Sequence, residues 1–255
     1  METINGEWIM LGCDRDDPTC LNSPDDLRAM IKGVGFIPLF STMIPGFSVE
    51  EHVPADRWWT GDPATDPWEW RQILAKDPDI AYGKFFDRKA GFISKEWFPV
   101  FANYRRNGYD FDALYEDGYV SMRAKKLMAV FDLDENAAGK ELMSYEVKAL
   151  AGFGKQSDGS TGEKNFEGVL TDLQMKTYLI MSDFHQKRNK RGESFGWHIA
   201  ALETPETKWG YEFVTGCYKE EPVESWKRIY GQARWVDPEL DERVLRKVLG
   251  KGVAL

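Results

Sequence analysis

Cysteine and histidine are scarce, with three of each in 255 residues. Cys13, Cys20 and Cys217 are odd in number and form no C-x-x-C pair, and only His52, His185 and His198 stand beside them. This excludes a cysteine-based zinc site with closely spaced ligands, and reduced thiols are expected, as in the cytosol. Long apolar runs are missing as well. No stretch approaches the roughly 18 apolar residues of a membrane span. The opening METINGEWIMLGCDRDD has acids where a signal peptide has bases. A soluble cytoplasmic chain with no membrane partner is therefore expected. Internal repeats and low-complexity tracts are absent, and no cofactor or metal is specified.

What the chain does have is aromatic bulk: 14% Phe, Trp and Tyr, with ten Trp. A buried Trp needs a partner for its N–H, so so many imply either partly open pockets or a core filled with large side chains. The charge is unevenly spread. Residues 1–118 carry 21 acids against 12 bases, which is the whole net charge of −9; residues 119–203 hold 12 of each and residues 204–255 hold 9 of each. The first part is thus unlike a surface that tracks phosphates.

The pattern predicts an irregular opening, then a helix with Ser23 as cap and Gly33 as its close. A short edge strand is expected at 35–40, since Pro38 lacks a ladder donor. Asp66, Pro67 and Glu69 read as a capping box starting a second helix. Residues 80–86 and 90–94 read as a hairpin, followed by a helix capped by Ser94 that presents Trp97, Phe98, Phe101 and Tyr104 at helical spacing. Further on come helices at 122–133 and 139–150, the latter turning Leu142, Tyr145, Val147 and Leu150 to a core. A glycine-rich loop and a helix at 165–176 follow. Two strands, 178–184 and 195–202, flank the polar segment 185–194. In the tail, helices are expected after Pro222 and from Asp237-Pro238. Three helices and a hairpin in that order make a winged helix. The fold class is α+β: a winged helix over 119–203, packed between an aromatic-rich acidic α/β region (1–118) and a C-terminal helical region (204–255).

The segments GFIPLF, IPGFSVEEH, PWEWRQ, AYGKFF, AGFISKEWFP, FANYRRNGYDFDA, LTDLQMKTYLIMSDF and FGWHIAALETPE resemble the AlkZ-related family from about Ser23 to Glu224. That group bears a weak similarity to the AlkZ/YcaQ-type bacterial DNA glycosylases, which remove alkylated or crosslinked bases using tandem winged helices. The resemblance implies a nucleic-acid-associated protein, possible DNA repair, and duplex DNA as partner. It also implies a Gln-x-Gln or Gln-x-Asp pair that positions the attacking water. The glutamines here, Gln72, Gln156, Gln174, Gln186 and Gln232, are expected to supply no such pair, so no catalytic residue is carried over.

The residues themselves offer three candidate sites. Lys187, Arg188, Lys190 and Arg191 put four cations within five residues of the wing, either to displace counterions from a phosphate backbone or to solvate a hairpin tip or dock on the acidic region. Gln174 and Lys176 on the helix before it are candidates for base or phosphate contact, although Glu167 and Asp172 share that helix. Glu50, Glu51 and His52 beside an aromatic region could supply a general base, or simply start a helix. Trp58, Trp59, Trp68, Trp70, Tyr82, Lys84 and Trp97 could line a cavity for a planar ligand such as a nucleobase, or pack a hairpin on a helix. The loop GFGKQSDGSTG lacks the ending of a phosphate loop and reads as a connection. The alternative to a nucleic-acid protein is a non-catalytic module for a small planar ligand or a protein partner.

Overall fold

Ser23 Oγ accepts from the Asp26 amide and Pro24 occupies the first turn, which starts the first long helix. The computed structural model describes residues 2–4, 7–132, 141–155, 159–188, 191–250 and 252. The opening residues, expected to be irregular, pair as strands β1 (Glu2–Ile4) and β2 (Glu7–Ile9). Helix α1 (Pro24–Val34) passes Gly33 and ends at Gly35, whose φ of +87° favours glycine and where a Cβ would lie 2.5 Å from the Trp97 ring. Strand β3 (Phe36–Pro38) follows, at the sheet edge that Pro38 requires. In α2 (Pro67–Ala75) Asp66 caps through the Trp68 amide and also accepts from Gly61, while Glu69 accepts from Gln72. The expected capping box is therefore replaced by a simple cap, because Glu69 points along the helix.

Strands β4 (Ile80–Phe86) and β5 (Lys89–Ser94) form a hairpin closed by Asp87 and Arg88 at φ +46° and +64°. Two left-handed residues are what a tight two-residue turn needs. Ser94 makes no side-chain cap; a 3-10 turn over Lys95–Trp97 leads into α3 (Phe98–Arg106), which ends in left-handed Asn107. Then come α4 (Phe111–Glu116), α5 (Met122–Asp132), β6 (Leu142–Met143), α6 (Ser144–Leu150), α7 (Phe166–Met175), β7 (Ile180–Arg188) and β8 (Ser194–Glu203). The tail holds α8 (Pro205–Trp209), α9 (Tyr211–Val214), α10 (Pro222–Ala233) and α11 (Glu242–Leu249). Helix α11 is capped by Asp241, not Asp237, whose carboxylate instead accepts from Glu239 in a turn. In α6 only Val147 is buried, while Tyr145 and Leu150 are exposed.

The six strands β3-β5-β4-β7-β8-β6 form one antiparallel sheet. β4 meets β7 at Tyr82 and Met181, so the sheet runs across the expected boundary at residue 118. The fold is thus mixed α and β. Among the described residues three apolar clusters hold it: the tail helices on α3 and one sheet face, α1 and α2 on the other, and α5–α7 with Leu179 and Leu202. The cysteines correct the expectation of reduced thiols. Cys13 and Cys20 form a disulfide, and Cys217 is free. Spacing alone hid this, because the intervening Asp14–Asp17 turn brings the two back together. Among the described residues no helix is long and apolar enough to cross a membrane.

Candidate nucleic-acid interface

Strands β7 and β8 pair from Ile180–Glu203 to Arg188–Ser194, so the expected polar loop is shorter and half of it, residues 185–188 and 194, is strand. Lys187 and Arg191 are exposed at the far end. Arg188 closes β7 opposite Ser194, and Lys190 lies outside the described residues. Trp197 on β8, which the sequence reading missed, is 73% exposed. Its one described ring contact is edge-on with Trp68, at 6.1 Å. Behind Trp68 the Arg71 guanidinium sits between the Trp68 ring (3.7 Å) and the Phe184 ring (4.1 Å). Burial there lowers the Arg71 pKa, opposed by the fields of Tyr82, Glu69 and Asp66. Trp197, Lys187, Gln186, His198 and Tyr145 border an open groove of about 870 Å³. An indole alternating along a strand beside a run of cations was the signal available in the sequence.

Helix α7 is differently placed. Thr171 and Gln174 are buried against β4, where Gln174 Oε1 accepts from the Lys84 amide at 2.7 Å and Lys84 Nζ donates to Thr171 at 3.3 Å. The residues α7 leaves most exposed are Glu167 and Asp172. Lys176 is half-buried, and desolvation lowers its ammonium pKa against the pull of Asp172. With Arg88, Arg123 and Asp172 it lines a cleft of about 560 Å³ between α5 and α7. Arg88 is paired with Asp172 there.

Glu50 is fully buried; Oε1 accepts from the Leu11 amide (3.2 Å) and Oε2 from the Ser41 amide (2.8 Å). Glu51 accepts from the Gly46 amide (2.7 Å) and the Ser48 hydroxyl (2.5 Å), and His52 Nε2 lies 3.1 Å from the Gly46 carbonyl. The triplet thus ties two loops and the N-terminal segment together. The aromatic candidates do not share one cavity. Trp58, Trp70 and Tyr82 are buried in the cluster under α1 and α2, where burial pushes the Tyr82 hydroxyl up to about 12. Trp68 packs against that cluster, Trp59 is exposed, Lys84 reaches Thr171, and Trp97 packs with Phe36 in a different cluster.

A second cleft, of about 550 Å³, lies at the base of the hairpin and is bordered by Lys76, Glu141, Ser182, Asp183, Glu203 and Lys208. Burial raises the Glu203 carboxyl, against the pull of Lys208, and lowers the Lys208 ammonium. Ligand atoms of Glu141, Asp183 and His185 lie within 4.8 Å of one another, a set that could hold a metal ion. Sequence reading missed this trio because Glu141 is 44 residues from His185.

The AlkZ-related family model matches residues 21–250, and the chain belongs to that family. No curated protein and no solved structure matches it. Contrary to the expectation about glutamines, Gln156-Ser157-Asp158 does have Gln-x-Asp spacing. Those three residues lie outside the described ones, and a three-residue pattern in a glycine-rich loop is by itself a weak signal.

Proposed function

We propose that residues 119–203 form a winged helix that binds double-stranded DNA through the β7–β8 hairpin and not through α7, in a protein related to DNA-repair glycosylases. The observation that carries this reading is Trp197, exposed on the same hairpin as Lys187 and Arg191. A strand pair presenting an indole and cations suits a duplex: cations neutralise phosphates while the ring enters a groove or stacks on a base. Helix, short strand, two helices and a hairpin in the strand order β7-β8-β6 support the winged-helix assignment. The family membership supports the link to nucleic acid. Helix α7 is a poor reader because its polar side chains Thr171 and Gln174 are engaged with β4 and its outward side is acidic. The reading assigns binding and no base-excision step, since the carboxylates of Glu50 and Glu51 are engaged by the backbone and Ser48.

The test is binding of a fluorescent duplex across a salt series. Engaging about four phosphates predicts a slope of log K against log salt of roughly −3.6, so affinity falls about a hundredfold between 50 and 200 mM. Absence of binding at the low-salt end would end this reading and leave a protein partner for the hairpin.

A further inference from the structure

We propose that Glu141, Asp183 and His185 bind one divalent transition-metal cation of the zinc type. His185 Nε2 lies 3.1 Å from Glu141 Oε2 and 3.4 Å from Asp183 Oδ2. Tetrahedral zinc with bonds of about 2.05 Å places its ligand atoms roughly 3.3 Å apart, so the two donor pairs that share His185 already stand at the edges of such a site, and the third pair lies within 4.8 Å. One imidazole with two carboxylates favours zinc or a neighbouring transition metal over magnesium or calcium.

The strand geometry explains the assembly. Asp183 and His185 alternate on β7, and Ala201 of β8 pairs with Asp183 on one side and with Met143 on the other. The small alanine lets Glu141, just before β6, reach across β8. The pairing of β7 shifts between Met181 and Asp183, and Ser182 and Asp183 both border the cleft. Ser182 is 7% exposed, and among the described residues its buried Oγ has no hydrogen-bond partner. Lys76 Nζ engages Asp183 Oδ1 at 2.7 Å, as does the Phe184 amide at 2.6 Å, which orients Oδ2 toward His185. The Lys76 charge offsets one carboxylate, so affinity is lower than in a closed structural zinc site.

The experiment is calorimetric titration of the chelator-treated full chain with zinc chloride, without reductant. One equivalent is expected to bind, and His185→Ala to weaken binding at least tenfold. His185 is exposed enough for that variant to fold, and Glu141→Gln, at an exposed position, should weaken binding independently. His52→Ala and His198→Ala should bind as the wild type does, as should Cys217→Ser, which removes the free thiol. No saturable binding, equal affinity in His185→Ala, or loss only in Cys217→Ser would overturn the site. In the first case the trio is a histidine hydrogen-bonded between two carboxylates and holds no ion.

Discussion

Gln174 on α7 accepts a hydrogen bond from the backbone amide of Lys84 on β4, 2.7 Å away and 90 residues earlier in the chain. The face that would read bases in a groove is therefore a packing face. Gln174→Ala would leave a buried strand amide unpaired, at a cost of about 1–3 kcal/mol. Chemical denaturation should show that loss. Duplex binding by the variant that remains folded should keep the wild-type affinity and salt slope; a selective loss of affinity would return α7 to the interface.

Arg106 is fully buried, with Nη2 donating to the Thr177 carbonyl (2.6 Å), Nη1 to Glu206 (2.5 Å), and the guanidinium 4.2 Å from the Tyr178 ring. Burial is the strongest influence and works to lower its pKa, but Glu206, Tyr218 and Tyr178 together outweigh it and hold it above the usual value. Glu206→Gln removes the compensating charge and should destabilise the fold by about 3 kcal/mol. In a chain of this size that is a Tm drop of roughly 10 °C. A change of under about 2 °C would mean that the neutral partners suffice.

Much of this architecture is legible in the sequence. Local rules carried Ser23 and Asp66 as caps, the 80–94 hairpin, Pro38 at an edge, and the apolar face of α7. What failed were inferences that need the chain to return on itself. Cys13 meets Cys20 through a turn, Trp58 and Trp70 enter one core instead of a cavity, and Gln174 is covered by a strand from the acidic half. Periodicity reports which side of an element is apolar, not which neighbour covers its polar side. The candidate site was half visible: Lys187 and Arg191 stood out as charge with Trp197 a few residues on, whereas the Glu141–Asp183–His185 trio needed the register of β6, β7 and β8.

The Cys13–Cys20 bond closes a small loop beside Leu11, whose amide donates to buried Glu50. Chain-entropy reasoning for so short a loop gives about 2 kcal/mol of stabilisation. Alkylation of the native protein without reductant should label Cys217 alone, and all three cysteines after unfolding and reduction. Cys13→Ser with Cys20→Ser should lower stability by that amount. Three reactive thiols in freshly purified, unreduced protein would refute the bond.

Burial raises the Glu203 carboxyl above its ordinary 4.5, partly opposed by Lys208. An acid whose pKa is higher in the fold favours folding below its unfolded value, and that contribution is lost as pH rises through the folded value. Glu203→Gln should therefore have a higher Tm than the wild type at pH 7, with the gap closing as pH falls to about 4. A gap that widens toward acid pH would show that the carboxylate's attraction to Lys208 dominates.

Trp197 separates a contact residue from a structural one. At 73% exposure, its described ring contact being with the Trp68 edge, its removal should change stability by no more than about 0.5 kcal/mol. Stacking or groove insertion is worth about 1–3 kcal/mol per aromatic, so Trp197→Ala should weaken duplex binding by about tenfold or more while leaving the salt slope unchanged. Lys187→Ala and Arg191→Ala should each make that slope shallower by about one. The two signatures are independent: a hairpin that only attracts phosphates would show the second without the first. Trp197→Ala binding as the wild type does, with its fluorescence unaltered by DNA before the substitution, would remove the indole from the interface and confine the hairpin's role to charge.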